Sequence, residues 1–496
     1  MEKLKPMMFV GTGSDVGKSV LCTALCRIFR QDGYCPAPFK SQNMALNSYS
    51  TLTGGEIGRA QAVQAEACGI VPETDMNPVL LLKPTEESVS QVVVDGQPVG
   101  NMSAREYFRR GNKQDLWGKA LAAYQRLSGR YNPIVLEGAG SISELNLRDR
   151  DITNMRMAEA VGASTYLVAD IERGGVFASV YGSVMLLPET QRKLLKGIII
   201  NKFRGDVSLF DEGRRMLEDL TGVPVVGVVP VLRDVHIPAE DSMALEHVDT
   251  RPEVGKVNVA VIRLPHVSNF TDFDALVFDG RFHVYYTDEP AGLSGADVII
   301  LPGTKNTIAD LEHIRRNGVV DAVVEAYGKG KQVVGICGGY QMLGLRVEDP
   351  LHVEGRQEVA EGIGLLPLVT VLGTKKMVCQ SEFRFRDVEV EACQGYQIHM
   401  GETSVAAGDA RATGLQPLNT LSDGSREGYW LDERCWGSYM HGILDNPVVL
   451  DALAGGIRRP EGQPGYVAFK EQQYDLLAER VRQVLDMDYI YRTLKG

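Results

Sequence analysis

The chain has 496 residues, enough for two to four domains at roughly 150 residues per domain. Its 52 basic and 64 acidic residues give a net charge of −12, which argues against general nucleic-acid binding because that requires a basic surface. The eight cysteines form no C-x-x-C pair, so neither a disulfide framework nor a zinc site of that spacing is predicted. The opening MEKLKPMMFVGTG is not a signal peptide, and the longest apolar stretch, Val223 to Leu232, is too short to span a membrane. We therefore expect a cytoplasmic protein with no nucleic-acid or membrane partner.

Short β-branched runs alternate with helical patterns in the first half of the chain. Each run is followed within two residues by Gly, Asp, Asn or Pro, as expected where a buried strand ends. The predicted strands are Met7–Val10, Ile134–Leu136, Thr165–Ala169, Gly197–Ile200 and Val225–Val229. Buried strands that alternate with helices predict a parallel sheet covered by helices on both faces.

A segment rich in proline and charge interrupts this rhythm and predicts a linker at 236–255. A second series of predicted strands follows: Val257–Ile262, Val284–Tyr286, Val298–Leu301, Val333–Ile336 and Ser438–Met440. Apolar residues at helical spacing then predict an amphipathic helix around Tyr474–Leu485. The prediction is an α/β protein with two domains at 1–235 and 256–453, followed by a helical tail at 454–496.

The segment MMFVGTGSDVGKSV at 7–20 places a glycine-rich loop between a strand and a helix. In this context the backbone N–H groups face a phosphate, the lysine reaches the terminal phosphates of ATP, and the serine hydroxyl contacts Mg²⁺. The candidate ATP-binding residues are Gly11, Thr12, Gly13, Ser14, Asp15, Val16, Gly17, Lys18 and Ser19. The spacing departs from the usual form, since Thr12 occupies the usual glycine position. The alternative is a tight glycine turn that binds no nucleotide.

Magnesium requires hard oxygen ligands, and three acidic residues are candidates to join Ser19 in binding it. Glu137 ends the strand IVLE and precedes Gly-Ala-Gly, so it lies where α/β sheets bind ligands. Asp15 and Glu56 are the other two candidates. The alternative for any one of them is a solvated surface carboxylate.

The segment VVGICGGYQMLG at 333–344 runs from a buried strand through Gly-x-Cys-x-Gly into a helix. This is the layout of a nucleophile elbow with cysteine in place of serine, and a helix N-terminus favours the thiolate of Cys337. The N–H of Gly338 would point at a developing oxyanion, and Gly303 in LPGTKNT could complete the oxyanion hole. His441 is the candidate base, with His399 as its competitor. The alternative for Cys337 is a buried core thiol.

Together the two motifs resemble a known combination. The elbow resembles the triad-type glutamine amidotransferases, and the N-terminal loop resembles dethiobiotin synthetase and its relatives. Fused in this order, they resemble the cobyrinate amidases of cobalamin biosynthesis. The segments that carry this resemblance are PFKSQNMALNS (38–48), GGEIGRAQAVQAEACG (54–69), DMNPVLLLKP (75–84), LEGAGS (136–141), NLRDRDITNM (146–155), DIERGGVFAS (170–179), NKFRGD (201–206), LPGTKNTIADL (301–311) and GYQIHMG (395–401).

The resemblance implies a P-loop domain like that of dethiobiotin synthetase and a class I glutamine amidotransferase domain. It implies amidation of the b, d, e and g carboxylates of adenosylcobyrinic acid a,c-diamide, a corrinoid, with ATP, Mg²⁺ and glutamine. Cys337 and His441 of the same chain would supply ammonia, so no separate glutaminase subunit is expected. A homo-oligomer is compatible with the resemblance.

Polar residues in loops after strands, together with the resemblance, give the candidate corrinoid-binding residues Lys40, Gln42, Asn43, Asn47, Asp149 and Asp151. The wider triad class carries a glutamate two residues after the histidine, and here that position is Ile443. A Cys–His pair without an orienting carboxylate is therefore expected, although Asp445 could assist.

Other functions stay open at this point. The nearest is that of the relative that amidates the a and c carboxylates of cobyrinic acid, and a glutaminase-linked amidase of cell-wall precursors is another. A partition-type ATPase switch belongs to a different class and would have no use for the Cys337 elbow.

Overall fold

The structure, a computed structural model, describes residues 2–86, 89–107, 110–238, 251–388 and 392–495. Two α/β domains follow each other along the chain, which confirms the predicted fold class. Most of the predicted linker, 239–250, lies outside the described residues.

The first domain is built around a parallel sheet. Its strands are β1 Met7–Gly11, β2 Ala37–Phe39, β3 Gln42–Ala45, β4 Ser48–Ser50, β5 Glu56–Gly58, β6 Val79–Glu86, β7 Val89–Val94, β8 Gln97–Ser103, β9 Ile134–Glu137, β10 Ser164–Asp170, β11 Leu195–Phe203 and β12 Val225–Pro230. Its helices are α1 Lys18–Gln31, α2 Arg59–Cys68, α3 Ala104–Tyr107, α4 Arg110–Ser128, α5 Met155–Val161, α6 Val176–Met185, α7 Glu189–Arg192 and α8 Asp211–Thr221.

In the described part of this domain the main sheet has the order β12-β11-β10-β1-β9-β2, with every pair parallel. Alternation along β1 sends Met7 and Phe9 to the face covered by α1, and Met8 and Val10 to the opposite face. Because all the strands run the same way, their carboxyl ends meet at one edge. The loop after β1 and Glu137 at the end of β9 therefore lie side by side.

The second domain has a larger mixed sheet. Its strands are β13 Val257–Ile262, β14 Phe282–Thr287, β15 Val298–Leu301, β16 Gln332–Ile336, β17 Arg346–Glu348, β18 Val359–Glu361, β19 Leu368–Phe385, β20 Cys393–Val405, β21 Gln416–Leu421, β22 Arg426–Asp432, β23 Cys435–Ser438 and β24 Met440–His441. Its helices are α9 Asp274–Phe278, α10 Thr307–Arg316, α11 Val319–Gly328, α12 Gly338–Leu343 and α13 Pro447–Leu453. The parallel part runs β14-β13-β15-β16-β23, which brings the ends of β15, β16 and β23 to a common edge.

The two domains touch through the β4–β5 hairpin of the first and the β19–β20 hairpin of the second. Lys376 donates hydrogen bonds to Glu56 at 2.6 Å and to Gln91 at 2.7 Å. Gln380 donates to the Ser50 carbonyl at 2.7 Å. Side chains of the second domain thus make direct polar contacts with the first.

The C-terminal tail forms two helices, α14 Tyr466–Val484 and α15 Met487–Lys495. The apolar face of α14 packs on α1, so that Tyr474, Leu477 and Val481 belong to the core on that side of the first sheet. Arg27 of α1 holds the same helix by ion pairs to Asp475 and Glu471. The end of the chain therefore completes the core of the first domain. Within the described residues, no helix has the length and apolarity that a membrane crossing would need.

This packing predicts an effect of a tail substitution on stability. Leu477 is 0% exposed, so Leu477→Ala should leave a cavity and destabilise the protein by about 2–5 kcal/mol. A lower midpoint of urea unfolding would report it. Val467→Ala on the same helix is the matched control, since Val467 is 65% exposed. Equal midpoints for the two variants would contradict the packing.

Candidate active site

The phosphate loop joins β1 to α1 as the sequence predicts. Gly17, directly before α1, has a φ of 95°, and a Cβ there would fall 2.0 Å from the Asn201 side chain, so only glycine fits. The Lys18 ammonium donates to the carbonyls of Gly13 at 2.9 Å and Gly140 at 3.0 Å. It is thereby held across the loop, where terminal phosphates of a nucleotide would lie.

Glu137 is the centre of a buried polar cluster beside Lys18. Its Oε1 accepts hydrogen bonds from the Ser19 hydroxyl at 2.8 Å and the Lys40 ammonium at 2.7 Å. Its Oε2 accepts one from Gln64 at 2.7 Å. The adjacent hydroxyl and carboxylate oxygens of Ser19 and Glu137 are the hard donors that Mg²⁺ prefers.

The other two acidic candidates for magnesium lie elsewhere. Asp15 is on the same cavity wall, but it is exposed and pairs with Arg173 at 3.4 Å. Glu56 does not line that cavity, contrary to the expectation from sequence, because β5 carries it to the domain interface. Burial alone would raise the pKa of Glu56, but the ammonium groups of Lys376 and Lys305 outweigh burial and lower it.

A cavity of about 680 Å³ opens over the phosphate loop. Among the candidate corrinoid-binding residues, four line it: Lys40, Gln42, Asn43 and Asp151. It also has a strongly basic wall that suits a polyanion, formed by Lys113, Arg148, Arg150, Arg156 and Lys202.

The structure leaves two of the corrinoid candidates off this cavity. Asp149 is exposed and Asn47 is buried at 1% exposure, and neither is among the lining residues. Both amide atoms of Asn47 lack a hydrogen-bond partner in the described part of the chain. Asp151 lines the cavity, but its carboxylate also accepts hydrogen bonds from the backbone and hydroxyl of Thr153.

In the second domain, Cys337 sits on a sharp turn between β16 and α12. Its φ of 52° and ψ of −111° are strained for a residue with a side chain. A Cβ at Gly339 would fall 2.0 Å from the Leu301 carbonyl, which explains the glycine after the turn. This is the conformation of a nucleophile elbow, and it presents the thiol at the carboxyl edge of the sheet.

The Cys337 thiol, His441 and Asp272 form a buried triad. His441 lies beside the Cys337 thiol, which donates to the Ile398 carbonyl at 3.5 Å, and the Nδ1 of His441 lies 2.7 Å from Oδ2 of Asp272. Burial alone would lower the pKa of His441, but Asp272 and Cys337 raise it to about 10. The imidazole is therefore protonated at neutral pH and can donate a proton to a departing nitrogen.

The expectation of a Cys–His pair without an orienting carboxylate is wrong, because the Asp272 carboxylate hydrogen-bonds His441. Asp272 lies in a 3₁₀ turn, Phe270–Phe273, after β13, and its Oδ1 also accepts from the N–H of Gly442. A carboxylate beyond the carboxyl end of a buried parallel strand is the signal that could have located it. No hydrogen bond joins Asp445 to His441 among the described residues.

Gly303, Gly338 and His399 are the remaining candidates near the elbow. A Cβ at Gly303 would lie 3.3 Å from Cε1 of His441, and one at Gly338 would lie 3.1 Å from the N of Thr304. Gly303 therefore borders His441, whereas Gly338 follows the nucleophile and packs against the segment that carries Gly303. His399 stacks on Tyr439 with ring centroids 3.6 Å apart, and burial lowers its pKa to about 4.

The role of Asp272 can be tested. Asp272→Asn should lower glutamate release from glutamine about 10²- to 10⁴-fold, because the imidazole loses its fixed orientation. Loss of the carboxylate should also drop the pKa of His441 from about 10 toward 6.5, so that activity disappears at lower pH on the alkaline side. The measurement is glutamate release as a function of pH. Asp288→Asn, which only breaks an exposed pair with Arg263, is the control. An unchanged profile would contradict the role.

Comparison with known proteins places these two sites in a class. A family model described as a CobQ/CobB/MinD/ParA nucleotide binding domain matches residues 7–244, and one described as a CobB/CobQ-like glutamine amidotransferase domain matches residues 258–449. Fold and sites thus define a nucleotide-binding domain fused to a glutamine amidotransferase domain.

The chain is similar over its whole length to several curated proteins. Cobyric acid synthase of Parabacteroides distasonis is 59% identical, with 100% of each chain covered. Those of Bacteroides fragilis and Syntrophobacter fumaroxidans are 55% and 46% identical, with 99% of each chain covered. The chain belongs to the cobyric acid synthase family.

Proposed function

We propose that this protein converts adenosylcobyrinic acid a,c-diamide to adenosylcobyric acid by amidating the b, d, e and g carboxylates with ATP and glutamine. The observation that carries the proposal is the presence of two built sites, the Lys18–Glu137 cavity and the Cys337–His441–Asp272 triad, in one chain. Family membership over the full length supports the choice of substrate.

The first site would activate the carboxylate. A carboxylate is a poor electrophile because its leaving group would be oxide, whereas an acyl phosphate releases phosphate. Lys18 and the loop N–H groups would neutralise charge on the γ-phosphoryl group as it moves. Ser19 and Glu137 would hold Mg²⁺, which supplies further neutralisation of phosphate charge when bound. Among the described residues no group of three or more His, Cys, Asp or Glu could hold a metal, so the nucleotide and water would complete its coordination.

The second site would release ammonia. The Cys337 sulfur attacks the side-chain carbon of glutamine, and the N–H groups of Gly303 and Gly338 stabilise the oxyanion. His441 gives its proton to the nitrogen, which leaves as ammonia, and a thioester remains. Water, deprotonated by His441, then hydrolyses the thioester to glutamate.

Ammonia would travel between the sites within the protein, because ammonium has no lone pair with which to attack. The segment from Asn47 to Gln64 supports such a route. Ser48 N donates to the Asn269 side chain beside the triad turn, while Gln64 donates to Glu137. In the same segment, buried side-chain atoms of Asn47 and Gln61 have no partner in the described part of the chain, as expected of groups that line a polar passage.

A nitrogen-label experiment tests this route. Glutamine carrying ¹⁵N in its amide should pass nearly all of the label to the product in the presence of excess unlabelled ammonium salt, because enclosed ammonia does not mix with bulk solvent. Mass spectrometry of the corrinoid measures retention. Dilution of the label in proportion to external ammonium would contradict an internal route.

The proposed reaction is tested by mass spectrometry of products sampled over time from the a,c-diamide, ATP and glutamine. Four successive amidations are expected. Absence of reaction with the a,c-diamide, together with two amidations of cobyrinic acid, would instead favour an a,c-diamide synthase.

A further inference from the structure

A second cavity, of about 840 Å³, lies where both domains and the tail meet. Its walls include Tyr49, Arg59, Asp272, Tyr396, Asp445 and Lys470. Neither Lys18 nor Cys337 lines it, so it is distinct from the phosphate cavity and from the thiol.

Most ionised groups around this cavity are neutralised by partners within the protein. Lys470 pairs with Glu66 at 3.0 Å, and Asp272 is held by His441. For the side chains of Arg59 and Asp445, by contrast, no hydrogen bond or ion pair is found within the described ranges. One cation and one anion therefore remain without direct partners.

Of the two side chains, Arg59 has the stronger need for a hydrogen-bond partner. It is only 8% exposed, its guanidinium lies 5.0 Å from the Tyr49 ring centroid, and its Nε has no hydrogen-bond partner among the described residues. The charges of Glu66 and Asp445 lie close enough to raise the pKa of Arg59, but neither carboxylate hydrogen-bonds it within the described ranges. A buried guanidinium donor without an acceptor is costly, which points to a ligand that supplies one. Burial raises the pKa of Asp445 to about 6, so this carboxyl is mostly ionised at neutral pH.

A cation and an anion on the walls of one cavity match the opposite charges of an α-amino acid head group. We propose that this cavity binds free L-glutamate, with its α-carboxylate on Arg59 and its α-ammonium on Asp445. The choice of glutamate rests on the proposed function, because glutamate is the product released at the neighbouring thiol.

This site is separate from the glutamine pocket at Cys337. The ring of Tyr396 lines the cavity and stacks on His441 with centroids 5.3 Å apart, so two rings lie between the cavity and the sulfur. Asp272 lines the cavity and also orients His441. An occupant would therefore contact the residue that positions the base.

Calorimetric titration of the full chain with L-glutamate tests the proposal. The thiol of Cys337 is first alkylated with 6-diazo-5-oxo-L-norleucine, which blocks the glutamine pocket. One saturable site is expected. Arg59→Met and Asp445→Asn should each weaken binding at least about tenfold, because each removes a charge-assisted contact. Arg480→Met, on the exposed side of the tail, should bind like the unmodified sequence.

Other ligands distinguish the head group from the rest of the molecule. Glutarate lacks the ammonium and should bind at least about tenfold more weakly than glutamate. Stronger binding of L-glutamine than of L-glutamate would overturn the assignment to the product. Absence of saturable heat, or unchanged affinity in Asp445→Asn, would overturn the site. Should Arg59→Met fail to fold, Asp445→Asn and glutarate still decide the matter.

Failure of the proposed function gives a different signature. If the reagent does not label Cys337, the nucleophile assignment is wrong, and titration of the unlabelled chain still decides whether the Arg59 cavity binds glutamate.

Discussion

Replacing Cys337 with alanine should lower glutamine-dependent amidation about 10⁴-fold or more, while amidation with a high concentration of ammonium salt continues. The strained elbow places this sulfur against His441, and no other group in the triad can form the thioester. The ammonium-dependent reaction needs only the cavity over the phosphate loop, which the substitution does not touch. The measurement is corrinoid amide formation with each nitrogen source.

A control variant and a comparison of thermal unfolding complete this experiment. Cys35→Ser alters an exposed cysteine and should leave both activities unchanged. Equal loss of both activities in Cys337→Ala would contradict the division of labour between the domains, provided that its thermal unfolding matches that of the unsubstituted chain.

Replacing Lys18 with alanine should stop amidation from either nitrogen source, with a loss of about 10²- to 10³-fold or more. Its ammonium is fixed by the carbonyls of Gly13 and Gly140 at the point where terminal phosphates would lie, so the substitution removes a positioned charge from that point. Basal glutamate release from glutamine should persist, because the triad lies in the other domain.

Lys193→Ala is the control for this substitution, since Lys193 is exposed and pairs across one turn with Glu189. Normal amidation by Lys18→Ala with ammonium salt would show that phosphoryl transfer does not use the loop.

Most features that depend on neighbouring residues in the chain could be predicted from the sequence. Each predicted strand of the first sheet lies within a strand of the structure, because β-branched runs bounded by turn residues are a local signal. In the second domain, the predicted strand Ser438–Met440 is interrupted in the structure, where β23 ends at Ser438 and β24 begins at Met440. Cys337 and Lys18 could be found because strand, glycine turn and helix follow one another directly.

Features that depend on distant parts of the chain could not be predicted in this way. Glu56 reads as a surface or metal-binding carboxylate, yet its partner Lys376 comes from the other domain. The same holds for Asp272, which reaches His441 only because β13 and β23 share one sheet. The helical pattern of the tail is visible in the sequence, but not its packing against α1.

The position of α14 affects how the protein folds during translation. A growing polypeptide emerges N-terminus first at about 5–20 residues per second, so the P-loop domain leaves the ribosome long before the helix that closes its core exists. Until α14 has been synthesised, that domain exposes the apolar face of α1. Chaperone dependence and aggregation during expression should therefore depend on when α14 is made, although the exposed surface belongs to the P-loop domain.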